Sequence, residues 1–266
     1  MSKLAEFLKG KRVALVGPAE SAIGQSYGSA IEGFDVVVRV KSFDFEEKYE
    51  IDLGKRTDIL FTDGVLHKRD GYANAGVKPK EHFYDDYTIL ERKNIKHIVC
   101  NFPADHFVYS ERSKGSFDAI RSSTNIPVSN VSSDRWHSAK EVLSRPNAGC
   151  IAMIDLLGYE ISELFIVGLD FFRTGYNEGN FFSFLKTDLI NEWHENSDEG
   201  EYHWVDRQYL FFKYNLMVND GRVKVDDRFN SILRDDSLDY MFELRNHSDE
   251  DRAVILQKLI SHKLKP

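Results

Sequence analysis

The pattern that most constrains the fold is a series of short apolar runs, rich in β-branched residues and separated by segments with helical spacing. Strands buried on both faces carry such near-continuous runs, whereas a sheet with one solvated face shows strict alternation. The pattern predicts strands at 13–16, 34–40, 59–61, 95–100, 164–167 and 222–225, and helices at about 80–93, at 134–143 with Asp134 as N-cap, and at 149–157 ending at Gly158 as a C′ glycine. We therefore expect an α/β protein with a mostly parallel sheet covered on both faces.

Composition limits the class of protein. The chain has 266 residues, of which 42% are hydrophobic and 13% aromatic, enough for one large domain or for one domain with a lid. A formal net charge of −8 argues against a general nucleic-acid binder, because neutralising phosphates requires a basic face. Cys100 and Cys150 lie in or beside apolar runs, so we expect buried, reduced thiols and no disulfide.

The sequence also carries an expectation about location. Residues 2–9 form a short amphipathic pattern with Ser2 as a cap, and they lack the apolar core of a signal peptide. Nowhere do 18 apolar residues follow one another, so no membrane-spanning helix is predicted. We therefore expect a cytoplasmic protein.

Two segments far apart in the chain combine a β-branched run or helix start with a turn of small residues. The first extends from Val13 to Ser21, and the second extends from Arg145 to Gly149 and leads into an apolar helix. In α/β proteins, such turns hold phosphate at backbone N–H groups. At Gly17 and Gly149 we expect the backbone to approach a ligand or a helix closely, which glycine allows; the alternative is an ordinary turn glycine.

The first segment resembles the large sialyl motif of glycosyltransferase families 29 and 42. The stretch from Arg12 to Lys41 is similar to that motif, and Phe34 to Lys41 fits its Phe-Asp-Val-x-Arg region. Two asparagines that bind the sugar donor in these families are replaced here by Pro18 and Lys41.

The second segment resembles the small sialyl motif of the same families. Pro146-Asn147-Ala148-Gly149 is similar to the turn of that motif, and residues 158–172 follow the bacterial family 42 pattern. The resemblance spans about residues 11–215, and the last fifty residues match no pattern that we can name.

The resemblance implies a fold and an activity. It implies one Rossmann-like domain of the metal-independent sialyltransferase type, a GT-A-like variant, over residues 1–247, with a flexible lid at about 173–205. The implied reaction transfers a sialic acid (a nonulosonic acid) from its cytidine-monophosphate (CMP) sugar to a glycan or glycolipid acceptor. No cofactor or essential metal is implied, and the acidic pairs of the chain do not follow a strand and short turn as metal-dependent glycosyltransferases require.

Two alternative functions stay open. A Kdo transferase would use the same nucleotide, because the motifs read the cytidylate more than the sugar. A nucleotide-binding protein without transferase activity is the second alternative. It is favoured by the departures from the expected donor contacts, which are Pro18, Lys41, Ala148 and Phe172.

The implied chemistry needs a general base for the acceptor hydroxyl and hydrogen-bond donors for the departing phosphate. His203 stands where these families place their base histidine; the alternative is a surface histidine in an acidic loop. Phe172 occupies the place of a phosphate-binding tyrosine and cannot donate a hydrogen bond. Tyr176 or Arg173 must therefore act on the phosphate if the site is active.

The remaining implied residues surround the donor. Because Pro18 has no N–H, the first turn must use the amides of Ala19, Glu20 or Ser21. Lys41 either reaches the sugar carboxylate or the phosphate, or lies at the solvated end of its strand. The full set of implied donor-binding residues is Gly17, Pro18, Ala19, Glu20, Ser21, Arg39, Lys41, Asp63, Asn147, Ala148, Gly149, Asp170, Phe171 and Phe172.

The C-terminal segment, residues 248–266, is predicted as a basic amphipathic helix with Ser248 as its N-cap. Leu256, Ile260 and Leu264 form an apolar stripe beside several lysines. Such a helix either lies on an anionic membrane, here the inner membrane face, or packs on the domain with its lysines in water. Both interpretations stay open at this point.

Overall fold

The computed structural model describes residues 2–41, 43, 47–64, 86–176, 205–234 and 248–262. Within these ranges seven strands form one sheet in the order β5-β4-β3-β2-β1-β6-β7, and every neighbouring pair is parallel. The strands are β1 Arg12–Val16, β2 Val36–Val40, β3 Ile59–Thr62, β4 His97–Cys100, β5 Val128–Asn130, β6 Glu163–Val167 and β7 Val223–Val225. The expected α/β class with a parallel sheet is confirmed.

Strand β5 was not predicted from the sequence. It contains three residues, all of them only partly buried, at one edge of the sheet. An edge strand of this length has no continuous apolar run, and this is the signal that revealed the other six.

Helices connect the strands. They are α1 Lys3–Leu8, α2 Gly28–Glu32, α3 Glu50–Leu53, α4 Ile89–Arg92, α5 Lys114–Ser123, α6 Ser133–Leu143, α7 Ala148–Leu157, α8 Val205–Phe211, α9 Met217–Asn219, α10 Asp227–Arg234 and α11 Asp249–Ser261. A π-helical turn, Phe212–Leu216, joins α8 to α9. Of the long helix predicted at 80–93, the described part contains only the four residues of α4.

Two predicted helix ends are corrected by the structure. Helix α6 is capped by Ser132, whose hydroxyl accepts from the Arg135 N–H, and Asp134 lies inside the first turn. Helix α7 does end at Gly158, but this glycine has φ −76° and is no left-handed C′ residue. A Cβ there would lie 2.0 Å from Arg135 Nε, so the glycine makes room for a guanidinium.

Both faces of the sheet are covered, as the near-continuous apolar strands predicted. In β1, Val13 and Leu15 join the core beneath α1, α6 and α7, whereas Ala14 and Val16 join a second cluster with Ile31 of α2. Cys100 and Cys150 are both buried free thiols, and burial raises the pKa of each to about 12. They act as small core residues.

The topology places the carboxyl ends of all seven strands at one edge of the sheet. From β1 the chain moves outward through β2 to β5, and it returns to the other side of β1 with β6 and β7. The switch point therefore lies between β1 and β6, where doubly wound sheets bind their ligands.

Arg39 does not lie at this edge with the other implied donor-binding residues. It is fully buried in β2, and its guanidinium donates to the carbonyl oxygens of Leu53 at 2.7 Å, Gly54 at 3.0 Å and Arg56 at 3.1 Å. Burial lowers the pKa of Arg39 to about 10. We therefore assign Arg39 to the interior, where it fixes the segment between β2 and β3.

We predict that Arg39→Met lowers the free energy of unfolding by about 3 kcal/mol, because buried carbonyl groups lose their donors. Urea unfolding measures the change. Arg92→Met is the matched control: Arg92 is exposed, and surface replacements usually change stability by less than about 0.5 kcal/mol. Equal stability of the two variants would contradict the interior role of Arg39.

Candidate functional site

The turn after β1 and the loop after β6 meet at the switch point. We call residues 17–21 the β1 turn and residues 168–176 the β6 loop. The amides of the β1 turn donate to the β6 loop: Ala19 N–H to the Gly168 carbonyl at 3.0 Å, and Glu20 N–H to the Gly175 carbonyl at 2.8 Å. Ala19 and Tyr176 also form an isolated antiparallel bridge, so the two segments stay paired beyond the ends of β1 and β6.

The remaining backbone N–H groups of the β1 turn also have acceptors within the protein. Ser21 N–H donates to Thr174 Oγ1 at 3.0 Å, and Gly17 N–H donates to the Val167 carbonyl at 2.8 Å. Pro18 has no N–H to offer. In this arrangement the amides expected to bind a donor phosphate are occupied by the protein itself, which corrects that expectation for the β1 turn.

Gly17 and Gly149 permit a close approach within the protein. A Cβ on Gly17 would lie 2.1 Å from the Gly168 carbonyl oxygen, and one on Gly149 would lie 2.6 Å from Leu169 Cδ2. Real Cβ atoms do not approach other atoms so closely. At Gly17 the close atom belongs to the backbone, so the β6 loop requires glycine there, whereas at Gly149 it is the end of the flexible Leu169 side chain. Both glycines predicted from the sequence mark points of close contact.

Asp170 organises the β6 loop. Its buried carboxylate accepts from Thr174 Oγ1 at 2.5 Å and from Thr174 N–H at 3.1 Å. The same threonine hydroxyl accepts from Ser21 N–H, so it links the buried acid to the β1 turn. Burial raises the pKa of Asp170, and the hydrogen bonds from Thr174 and Ser21 oppose that rise. The carboxylate is thus engaged inside the loop.

Two consecutive phenylalanines give the β6 loop an unusual backbone. Phe171 has φ +54° and Phe172 has φ +61°, a left-handed conformation that costs non-glycine residues about 1–3 kcal/mol each. The Phe171 ring is buried against Tyr209, Phe212 and Phe229, with ring centroids 5.5–5.9 Å away. Phe171 is therefore a core residue that anchors the loop, which corrects its implied role as a donor contact.

The rings of Tyr176 and Phe172 contact each other within the β6 loop. Their ring centroids are 6.0 Å apart in an edge arrangement. Burial, followed by the charge of Asp170, raises the pKa of Tyr176. The tyrosine hydroxyl therefore stays protonated and can serve as a hydrogen-bond donor. Arg173 is half-buried, and its backbone N–H donates to the Asp170 carbonyl oxygen at 3.2 Å.

The N-terminus of α7 forms the second part of the site. Asn147 caps the helix, since its Oδ1 accepts from Cys150 N–H at 2.8 Å. The first-turn N–H groups of Ala148 and Gly149 have no acceptor within the helix, and the helix dipole favours an anion there. Because α7 precedes β6 and packs across β2 and β3, this end lies at the carboxyl edge of the sheet.

Gln208 joins the α7 N-terminus to helix α8. Its buried side chain accepts from Asn147 N–H at 3.1 Å and donates to the Arg145 carbonyl at 3.4 Å. His203 lies outside the described residues, as do residues 177–204 of the expected lid. Gln208 nevertheless fixes the helix that begins two residues after His203 to the turn of the small motif.

Lys41 and Asp63 form an ion pair where β2 and β3 end. Lys41 Nζ lies 3.5 Å from Asp63 Oδ2, and the two side chains are 36% and 30% exposed. Lys41 adopts φ +63° directly after the last residue of β2. The structure thus brings these two predicted residues together at the edge of the sheet.

Asn101 is a residue that the sequence reasoning missed. It follows β4 directly, it is 4% exposed, and its Oδ1 has no hydrogen-bond partner. A buried, unpaired acceptor costs about 1–3 kcal/mol, and native proteins retain such groups for a reason. The signal was available, because Asn101 is a polar residue directly after a buried run, as Asp63 is.

Two further properties bear on function. Among the described residues, no group of three or more His, Cys, Asp or Glu could hold a metal ion. No helix in that part of the chain is long and apolar enough to cross a bilayer.

Comparisons with known proteins extend these observations. No protein-family model matches the chain, and no curated protein matches it. Among solved structures, the chain is similar to the monofunctional α-2,3-sialyltransferase Cst-I from Campylobacter jejuni. The TM-score is 0.50 and the identity 17%, over 94% of this chain and 81% of that chain. This likeness confirms, at the level of fold, the resemblance read from the sialyl motifs.

Two other sialyltransferases give lower scores. CstII from Campylobacter jejuni, solved with the substrate analogue CMP-3FNeuAc, has a TM-score of 0.47 and 16% identity over 83% of this chain and 88% of that chain. A mammalian sialyltransferase, solved with Gal-beta-1-3GalNAc-ortho-nitrophenol, has a TM-score of 0.43 and 14% identity over 84% of this chain and 71% of that chain.

The raised pKa of Asp170 leads to a pH prediction. A carboxyl group whose pKa is raised by folding contributes most stability below its unfolded pKa, near 3.9, and loses it as the pH rises through the folded pKa. Asp170→Asn removes this loss and keeps an acceptor for Thr174. Relative to the wild type, the variant should therefore gain stability as the pH rises from about 4 to 8.

Urea unfolding across that pH range measures the difference. Asp105→Asn is the control with the opposite sign, because hydrogen bonds from Ser133 and His137 lower the pKa of the exposed Asp105. Its contribution is complete above the unfolded pKa, near 3.9, and is lost as the pH falls below it, so Asp105→Asn should parallel the wild type from about pH 5 to 8 and gain relative stability only below about pH 4. Parallel curves for Asp170→Asn and the wild type would contradict the burial argument.

Proposed function

We propose that the protein is a CMP-sugar-dependent glycosyltransferase that transfers a sialic acid from its CMP form to a glycan or glycolipid acceptor. The proposal rests on the sialyl-type motifs in the sequence together with the fold shared with Cst-I. The observation that carries it is the pair of hydrogen bonds between Gln208 and the Arg145–Asn147 turn. This contact ties the proposed phosphate site to the helix that follows the proposed base.

In the proposed reaction, three groups bind the leaving phosphate, donate a hydrogen bond to it and accept the proton of the acceptor. The departing phosphate would bind at the N-terminus of α7, where N–H groups and the helix dipole stabilise negative charge. Tyr176, with its raised pKa, would donate a hydrogen bond to the leaving group. His203 would accept the proton of the attacking acceptor hydroxyl. No metal is required in this scheme, and turnover should persist in the presence of a chelator.

A second candidate function is nucleotide binding without transfer. It is favoured by the β1 turn, whose amides already donate to the β6 loop, and by Phe172, which cannot act as a hydrogen-bond donor. Calorimetry with CMP and assays of CMP release from separate CMP-sugars distinguish the functions. Release from CMP-sialic acid with an acceptor supports the sialyltransferase, and release from CMP-Kdo alone supports the Kdo transferase. CMP binding with no turnover supports the non-enzyme.

We predict that His203→Ala lowers turnover by about 10² to 10⁴ and leaves donor affinity nearly unchanged, because a general base acts only in the transition state. Steady-state kinetics and donor titration give the two quantities. His137→Ala is the control, since His137 is exposed and pairs with Asp105 at 3.1 Å. Near-wild-type turnover of a folded His203→Ala protein would remove this residue from the mechanism.

We propose a cytoplasmic enzyme that touches the inner membrane face through α11. Ser248 caps this helix as expected, but Leu256 packs with Ile255 on the core, so the predicted stripe does not face outward as a whole. Asn215 Nδ2 also donates to the His262 carbonyl at 2.7 Å, which fastens the helix end. Among the side chains of α11 that the structure describes, Val254 and Ile260 are the large apolar groups exposed to a membrane, 64% and 43% exposed.

Val254→Asp with Ile260→Asp should therefore reduce sedimentation with phosphatidylserine vesicles, because apolar insertion is lost and negative charge is added. Vesicles of neutral lipid serve as the control for electrostatic attraction. Donor binding should stay unchanged, since neither residue belongs to the β1 turn, the β6 loop or the N-terminus of α7. A wild-type protein that does not sediment with anionic vesicles would contradict the membrane contact.

A further inference from the structure

Asn101 carries a side-chain carbonyl group that the protein buries and leaves unpaired. The residue is 4% exposed, and among the described residues its Oδ1 has no hydrogen-bond donor. Buried polar groups in native proteins are nearly always paired, so an unmade hydrogen bond at this position opposes folding. Departures of this kind are typical of functional sites, where a ligand completes the bond.

The direction of the Asn101 side chain follows from the alternation of β4. Val99 belongs to the core cluster that contains α6 and α7, whereas Ile98 and Cys100 belong to the cluster on the opposite face. Asn101 N–H donates to the Thr62 carbonyl oxygen at 3.0 Å, so the pairing with β3 continues through this residue. The Asn101 side chain therefore lies on the same face as Val99, which is the face that α7 covers.

The segment after β4 also contacts the turn that precedes α7. Arg145 Cζ lies 5.9 Å from the centre of the Phe102 ring, and Asn130 Nδ2 donates to the Phe102 carbonyl oxygen at 2.8 Å. The residue next to Asn101 is thus held by the end of β5 and by the turn that leads to the α7 N-terminus. Asn101 therefore lies at the carboxyl end of β4, on the side of the sheet where α7 begins.

The chemistry of a side-chain carbonyl group limits what can fill this position. Oδ1 accepts only, so it needs an O–H or N–H group, which a hydroxyl group of a sugar has and an ionised phosphate or carboxylate lacks. Along the carboxyl edge, β2 and β3 separate β4 from the switch point, and α7 packs across these two strands. A nucleotide at the switch point, with its phosphate at the α7 N-terminus, would direct the transferred sugar toward β4.

We propose that Asn101 binds a hydroxyl group of the transferred sugar, which donates a hydrogen bond to Oδ1. This inference rests on the proposed function, because it assigns a contact of the CMP-sugar donor to a residue outside both sialyl-type motifs. The unpaired carbonyl group is an acceptor kept ready in a buried position. The ligand then makes the hydrogen bond that the free protein leaves unmade.

The experiment measures stability and ligand binding together, because a structural residue and a ligand-binding residue differ in both. Asn101→Leu replaces the amide by an apolar group of similar size. Asn130→Leu is the matched control for stability, since the amide of Asn130 is paired with the Phe102 carbonyl oxygen at the end of β5. Asn125→Leu, at an exposed position before β5, is the control for binding. Urea unfolding gives the midpoints of the free proteins, and calorimetry gives the affinities for CMP and for CMP-3FNeuAc.

We expect Asn101→Leu to raise the urea midpoint, because a buried unpaired acceptor is removed, and Asn130→Leu to lower it. Asn101→Leu should weaken CMP-3FNeuAc binding about tenfold and change CMP affinity less than about twofold, since the lost hydrogen bond belongs to the sugar. Asn101→Ala should give the same loss of affinity, which separates the missing acceptor from any misfit of leucine. Asn125→Leu should leave both affinities unchanged.

Four results would overturn the inference. A lower urea midpoint in both Asn101→Leu and Asn101→Ala would show that the amide is needed for folding. Equal losses for CMP and for CMP-3FNeuAc would assign the contact to the nucleotide. Unchanged affinity for both ligands would place Asn101 outside the site and leave the proposed function intact. A wild-type protein that binds neither ligand would overturn the proposed function, and this inference with it.

Discussion

The contact between the β1 turn and the β6 loop is the interaction on which the rest of the site depends. A Cβ on Gly168 would lie 2.8 Å from the Gly17 carbonyl oxygen, and one on Gly17 would lie 2.1 Å from the Gly168 carbonyl oxygen, so neither position admits a side chain without movement. From the other side, Asp226 accepts from Gly168 N–H at 3.2 Å. Because β1 and β6 are neighbours at the switch point, this contact fixes where Leu169 meets Gly149 and hence where α7 begins.

The charge distribution around this contact limits how an anion could bind. Asp170 and Asp226 are buried beside the strand ends, and burial raises the pKa of both. Their hydrogen bonds are directed into the β6 loop and the first turn of α10, so they offer little to a ligand. In a chain with a net charge of −8, anion affinity must come from local groups. The partial positive charge at the α7 N-terminus and the ammonium group of Lys41 are two positive groups of this kind at the carboxyl edge of the sheet.

Much of the fold was predictable from the sequence, because a parallel sheet needs apolar residues on both faces and this leaves a local pattern. The need for glycine at position 17 was also readable, although its partner in the β6 loop was not. The roles of Arg39 and Gly158 were misread because their partners, Leu53 and Arg135, lie 14 and 23 residues away along the chain, and local patterns do not encode such contacts. Asn101 was missed although its position after a buried strand is a local signal. The role of His203 stays a prediction.

The contact also determines how costly each mode of phosphate binding would be. A phosphate at the amides of residues 19–21 would displace three acceptors of the β6 loop, each contributing about 0.5–1.5 kcal/mol net. Opening the loop would release the strain at Phe171 and Phe172, about 1–3 kcal/mol each, so these two terms nearly cancel. Burial of the Phe171 ring stabilises the closed loop by about a further 1.5–3 kcal/mol. The closed loop is therefore the favoured state. A phosphate at the α7 N-terminus displaces none of these acceptors, so binding there costs less than binding at the β1 turn.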